Sequence, residues 1–242
     1  MGFRSDSRRV SVALLLAAVI GGGFGAGSAR AQSFNVLYDF TAEAGTQTST
    51  AATAASVPSN LTAAAVSRGS GITPNAGVRS INSANWTTGA SIDVNDYYTF
   101  GVTPSAGNTI SLTSLAFTDQ RSGTGPNSFQ VRSSVDGFAS ALFTYSLPGT
   151  TSSQSFNLGS ISSLQNVVSG VAFRIYGFGA TGTAGTYRIT SLSAGNGLVL
   201  GGTLNAITPP VGGSAAPEPG TLAFLLPVLP VIGLIARRRR CK

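Results

Sequence analysis

The chain has 242 residues, 42% of them hydrophobic and only 10% charged, so it holds enough apolar side chain for one sizeable core and does not have the composition of a disordered chain. Its formal net charge of +7 sits at the ends: residues 1–31 carry +3, residues 217–242 carry +4, and between them six arginines balance six acids, which excludes the basic face that nucleic-acid binding requires. With no histidine anywhere and a single cysteine at position 241, the body is excluded from imidazole catalysis, internal disulfides and cysteine-based metal sites.

In chain order, residues 1–31 read as a secretory signal peptide. Arg4, Arg8 and Arg9 precede the apolar run Val10 to Ile20, and Ala29-Arg30-Ala31 places small residues at cleavage spacing, so processing is expected before Gln32. That run is too short to span a bilayer stably, which argues against the alternative, a signal anchor.

From residue 32 to 207, strand-like alternation recurs between Gly, Ser, Asn and Pro punctuation, and helical periodicity is nearly absent. Strands are expected at Ser33 to Phe40, Tyr97 to Val102, Thr109 to Phe117, Ser128 to Ser133, Leu142 to Tyr145, Gln154 to Leu158, Val171 to Tyr176, Thr186 to Leu192 and Leu198 to Leu200. The apolar phase shifts midway through Thr109 to Phe117, which predicts a bulge. In Val171 to Ile175, the side chains of Val171, Phe173 and Ile175 share one face while Arg174 points the other way. Many short strands at this spacing predict an all-β, antiparallel two-sheet β-sandwich of jelly-roll-like form. Thr41 to Ser56 is small, polar and low in complexity, so it reads as an exposed loop. Residues 208–216 read as a linker, and residues 217–242 form a separate C-terminal segment expected to include a hydrophobic helix.

Few residues of the body carry recognisable chemistry. Gly177-Phe-Gly179-Ala-Thr-Gly182 matches GxGxxG after a predicted strand. A dinucleotide site would then need a helix and, about 20 residues on, an acid. The continuation instead reads as turn and strand, so the glycines are expected to form a hairpin loop. Asp93, Asn95 and Asp96 could gather hard oxygens around Ca²⁺, or form a turn whose side chains bond their own backbone. No other cofactor is implied. The loop Asp119 to Asn127 presents Gln120, Arg121 and Asn127, the planar polar groups that sugar sites combine with an exposed aromatic such as Trp86, Tyr97 or Tyr98. The alternative is that Trp86 and the tyrosines fill the core or cap its edge. A glycosidase needs only two carboxylates, but most of the six body acids occupy turn or strand-end positions.

The C-terminus carries the strongest pattern: Pro217-Glu218-Pro219-Gly220, then Thr221 to Ala236 without charge, then Arg237, Arg238, Arg239 and Arg240. In this order the three parts closely resemble the PEP-CTERM sorting region of exported bacterial proteins. The resemblance implies recognition by exosortase, an integral membrane protease-transpeptidase of Gram-negative bacteria that make exopolysaccharide. The sixteen uncharged residues would reach roughly 24 Å as a helix against a bilayer core of about 30 Å, and the arginines would stop translocation. A permanent single-span anchor differs only in whether the tail is cut. Gln120 to Pro126 and Arg132 to Phe138 also resemble blocks of uncharacterised exported domains bearing this tail. The implied protein is exported through an inner-membrane-tethered precursor to the periplasm, cell surface or matrix, and is non-enzymatic. Its implied partners are exosortase, the export machinery and extracellular polysaccharide. The alternatives are a jelly-roll glycan-processing enzyme and a purely structural or ice-adsorbing matrix protein.

Overall fold

The computed structural model describes residues 31–147, 149 and 151–207. The signal segment up to Arg30, the linker 208–216, the sorting motif at Pro217, Glu218, Pro219 and Gly220, and the arginines 237–240 lie outside the described residues. Among those described, no helix is long and apolar enough to cross a membrane.

The strands are β1 (Gln32–Tyr38), β2 (Ser49–Thr50), β3 (Leu61–Arg68), β4 (Thr73–Pro74), β5 (Ser80–Ala84), β6 (Tyr97–Pro104), β7 (Asn108–Arg121), β8 (Ser128–Ser133), β9 (Phe143–Ser146), β10 (Ser152–Asn157), β11 (Val171–Phe178), β12 (Tyr187–Thr190) and β13 (Leu198–Ala206). They form two sheets. The first runs β1-β13-β7-β12-β5-β4 with β10 also on β7, and the second runs β2-β3-β6-β11-β8-β9. All strand pairs are antiparallel. The apolar halves of both sheets bury against one another, as the period-2 pattern requires, and the chain is a two-sheet β-sandwich.

The predicted bulge is present. Gly201 pairs with Ser114 and Gly202 with Leu112, so Thr113 is the extra residue. It moves burial from Ile110 and Leu112 to Leu115 and Phe117, positions of opposite parity. In β11, Val171, Phe173 and Ile175 are buried while Arg174 faces outward. Two expectations are corrected. Thr41 to Ser56 is not a free loop, because it includes β2, and Gly45 and Thr50 are buried. Arg68 pins this segment by donating to the Gly45 and Gln47 carbonyls and, at 2.8 Å, to that of Asn82. The glycines after Val171 to Tyr176 do not close a hairpin, since β11 lies in the second sheet and β12 in the first. They carry the chain across the sandwich, with Gly179 at φ 71°, a value that glycine adopts at no steric cost.

Buried tyrosines span the slot between the sheets and hydrogen-bond the opposite backbone. Tyr38 of the first sheet donates to the Ala64 carbonyl at 2.8 Å, and Tyr98 of the second donates to the Tyr187 carbonyl at 2.8 Å. Rings pair across the same slot: Tyr38 with Phe100, Tyr98 with Tyr187, Phe129 with Tyr187, and Phe143 and Tyr145 with Phe156. Asp119 of β7, fully buried, accepts from Tyr145 (3.1 Å), Tyr187 (3.0 Å) and Gln154 (3.1 Å). Burial outweighs these bonds and raises its pKa to about 6. The folded state therefore holds this proton more tightly than the unfolded chain, where an Asp titrates near 3.9. The resulting stability is fully present below about pH 4 and is lost as pH rises through about 6. Asp119→Asn should flatten this part of the pH dependence of the urea midpoint between about pH 4 and pH 7. An unchanged slope would show that Asp119 is not its source.

Candidate functional site

The four side chains expected at a ligand site do not come together. Trp86 lies at one cleft, Gln120 and Arg121 at another, and Asn127 at neither. Trp86 is 1% exposed, its Nε1 donates to the Ser83 carbonyl at 2.9 Å, and its ring meets Tyr98 and Tyr187 edge-on at 5.4 and 5.5 Å. It offers no face on which a sugar could stack, so the exposed-aromatic expectation is corrected at this residue. Just before it, Asn85 takes a left-handed φ of 63° at the end of β5. Tyr98 is equally buried, whereas Tyr97 lies half-buried on the outer face of the second sheet beneath the Arg174 guanidinium, 4.1 Å from its ring centre. Asn127 is exposed and serves the loop end, its Oδ1 accepting from Ser128 Oγ at 2.9 Å and its carbonyl from the Leu147 N–H at 3.3 Å.

The Trp86 cleft, about 350 Å³, is shared by Asp93, Asn95 and Asp96. Asp93 Oδ1 accepts the Asn95 N–H at 2.8 Å, and the Asp93 carbonyl accepts the Asp96 N–H at 3.2 Å. This is the self-bonded turn rather than a ring of free oxygens. Burial and then the neighbouring Asp93 charge push the Asp96 carboxyl upward. Among the described residues, no group of three or more His, Cys, Asp or Glu is placed to hold a metal ion.

The second cleft, about 240 Å³, lies on the outer face of the first sheet and is lined by Asn75, Asn82, Gln120, Arg121, Ser122 and Arg188, with Ala76 and Thr186. Strand register builds it. Arg188 of β12 pairs with Asn82 of β5 on one side and with Gln120 of β7 on the other, so three long polar side chains stand in one row across three strands. Arg188 Nε and Nη2 both donate to Gln120 Oε1, Nε at 2.9 Å. Arg121, paired with Tyr187, leaves the opposite face of β7 from this row and borders the cleft at its end. Its Nε donates to the Leu147 carbonyl at 3.0 Å and its Nη1 to the carbonyls of Ser122, Gly123 and Gly125 at 3.1 to 3.3 Å, which shapes the loop after β7. Asn82 forms part of the wall and is 4% exposed. Its Nδ2 donates to the Ala76 carbonyl at 2.8 Å, while its Oδ1 is buried without a partner.

No family model and no curated protein matches the chain. Among solved structures, it is similar to the K3 cleaved adhesin domain of Lys-gingipain from Porphyromonas gingivalis, at 15% identity and TM-score 0.32, over 60% of this chain and 92% of that one. It is likewise similar to the K1 cleaved adhesin domain of the same protein, at 14% identity and TM-score 0.32, over 71% of this chain and 97% of that one. A likeness at this level assigns no activity.

Asn75, Asn82 and Arg188 were not legible as site residues, because only the pairing of β5, β12 and β7 brings them beside Gln120. The available signal was the Arg188 position itself, a charge at an outward-facing place in a short apolar strand. Trp86→Ala should lower stability by about 3–5 kcal/mol, the cost of emptying a large aromatic site, measured by urea unfolding. In the intact protein this single tryptophan should emit at short wavelength and resist acrylamide quenching, and ready quenching would contradict its burial.

Proposed function

We propose that this chain is an exported surface or matrix protein of a Gram-negative bacterium, sorted through its C-terminal segment, and that its sandwich binds polysaccharide without chemically altering it. The observation that carries the binding reading is the cleft on the first sheet. It gathers the amide groups of Asn75, Asn82 and Gln120 and the Arg188 guanidinium on one concave polar surface bordered by Arg121, the donor and acceptor set that hydroxyl-rich ligands engage. The sheet holds the row rigid, so the groups are ordered before a ligand arrives.

The sorting reading rests on the N-terminal signal pattern together with Pro217-Glu218-Pro219-Gly220, the uncharged run and Arg237 to Arg240. Exosortase would act on this tail while the sandwich stays outside the inner membrane.

Each half of the reading has its own test. Protein recovered from the surface pool of the native host should lack Thr221 to Lys242 by intact mass, and a full C-terminus in that pool would leave a permanent anchor instead. Full-length protein should bind the exopolysaccharide of its host, with Gln120→Ala weakening the interaction severalfold. Trp86→Ala would report on folding rather than recognition. Absence of binding by the unmodified protein would remove the polysaccharide role.

A further inference from the structure

We infer that the cleft on the first sheet takes a carboxylate-bearing sugar, a uronate residue of an acidic polysaccharide. This inference rests on the polysaccharide reading and names the ligand class for the same site.

Charge is the first argument. The eight residues that line the cleft include two arginines and no acid. The protein acceptors of Arg121 among the described residues are all backbone carbonyls, and those of Arg188 are the single Gln120 Oε1. Neither guanidinium is matched by a carboxylate there, although the body as a whole has as many acids as arginines. Register sets Arg121 opposite Tyr187, on the other face of β7 from Gln120, with its guanidinium bound to loop carbonyls, so Arg188 is the charge that stands in the row and raises the local affinity for an anion.

Geometry narrows the anion. Arg188 spends Nε and one edge of its fork on Gln120, and among the described residues Nη1 has no acceptor. A guanidinium edge presents parallel N–H groups that match the two oxygens of a carboxylate. Gln120 is held by its oxygen, which leaves its Nε2 as a donor for a ring or hydroxyl oxygen. Asn82 supplies the complementary group. Both nearby acceptors, Asn75 Oδ1 at 3.3 Å and the Ala76 carbonyl at 2.8 Å, face its Nδ2, so the amide orientation is settled and the unpartnered atom is the acceptor Oδ1. Oδ1 is buried, so a sugar hydroxyl would reach it only where ligand entry moves the cleft wall. A neutral sugar would use the Gln120 Nε2 but leave the Arg188 guanidinium uncompensated. A simple inorganic anion would satisfy Arg188 and leave the Gln120 Nε2 and Asn82 Oδ1 unused.

Size sets how much of the polymer is read. A volume of about 240 Å³ is below the roughly 300–1,000 Å³ typical of pockets that enclose a drug-sized ligand. It suits a single sugar ring with its carboxylate, the chain continuing along the sheet face on either side.

The test is binding of full-length protein, by calorimetry at low salt, to polygalacturonate, alginate and polyglucuronate, with fully methyl-esterified polygalacturonate and dextran as uncharged polymers. At least one polyuronate should bind at least tenfold more tightly than either uncharged polymer, and the binding should weaken with added salt. Arg188→Gln should remove most of that preference, while Arg79→Gln, an exposed arginine outside the cleft, should leave it intact. Equal binding of esterified and free polygalacturonate, or binding of dextran alone, would overturn the acidic-ligand inference and leave the polysaccharide reading standing. Binding to none of these polymers would overturn the inference; the host-exopolysaccharide experiment then decides the broader reading separately. Because the ester comparison uses unmodified protein, it decides the question even if Arg188→Gln fails to fold.

Discussion

Side chains that alternate along short strands can bury their apolar halves in only one place, the slot between the two sheets, and every other feature of the molecule is arranged around filling it. The slot is filled largely by rings. Trp86, Tyr98, Tyr187, Phe129, Tyr145 and Phe156 form an unbroken run of aromatic contacts, and such pairs add to the stabilisation that their buried area already provides. Without disulfides, this packing carries the sandwich. It also accounts for the polar atoms inside: each tyrosine that crosses the slot brings a hydroxyl that must be satisfied, and backbone carbonyls of the far sheet or the Asp119 carboxylate supply the acceptor.

The arginines of the body follow a related rule on the outside. Arg68 and Arg121 bond mainly to backbone carbonyls, and Arg132 divides its bonds between the Gln130 amide oxygen and the Phe138 and Ala139 carbonyls, so they fasten loops to strands and carry their charge without a matched acid. Arg174 lies between the Tyr97 and Phe138 rings at 4.1 and 4.0 Å, where the ring faces take the place of an anion. Arg188, like Arg132 on Gln130, bonds a neutral amide oxygen, and it does so among the polar side chains that line the cleft.

Much of the fold was legible because burial on one face imposes a period of two. The Thr113 bulge was legible for the same reason, since an inserted residue must invert that period. The strands that escaped notice lack the signal physically. β3 is rich in alanine, and its register shift between Ala64 and Ser67 puts its two buried anchors, Leu61 and Val66, on opposite parity. β5 buries Ser80, Asn82 and Ser83, polar residues that a hydrophobicity pattern assigns to the surface. Trp86 reads either way in sequence, because a lone aromatic in a polar loop carries no periodicity, and only the Ser83 carbonyl and the Tyr98 and Tyr187 rings fix it inside.

By itself the sequence determined the β-sandwich class, the neutrality of the body and the separation of that body from a charged C-terminal segment, since each depends on local periodicity or on where charge sits along the chain. Only the tertiary structure decided that Gln120 and Arg121 share a cleft with Asn82 and Arg188, and that Trp86 and Asn127 stand apart from it. The reason is that strands distant in sequence become neighbours through backbone hydrogen bonds. Which side chains then stand in one row is set by register, which no single stretch of sequence contains.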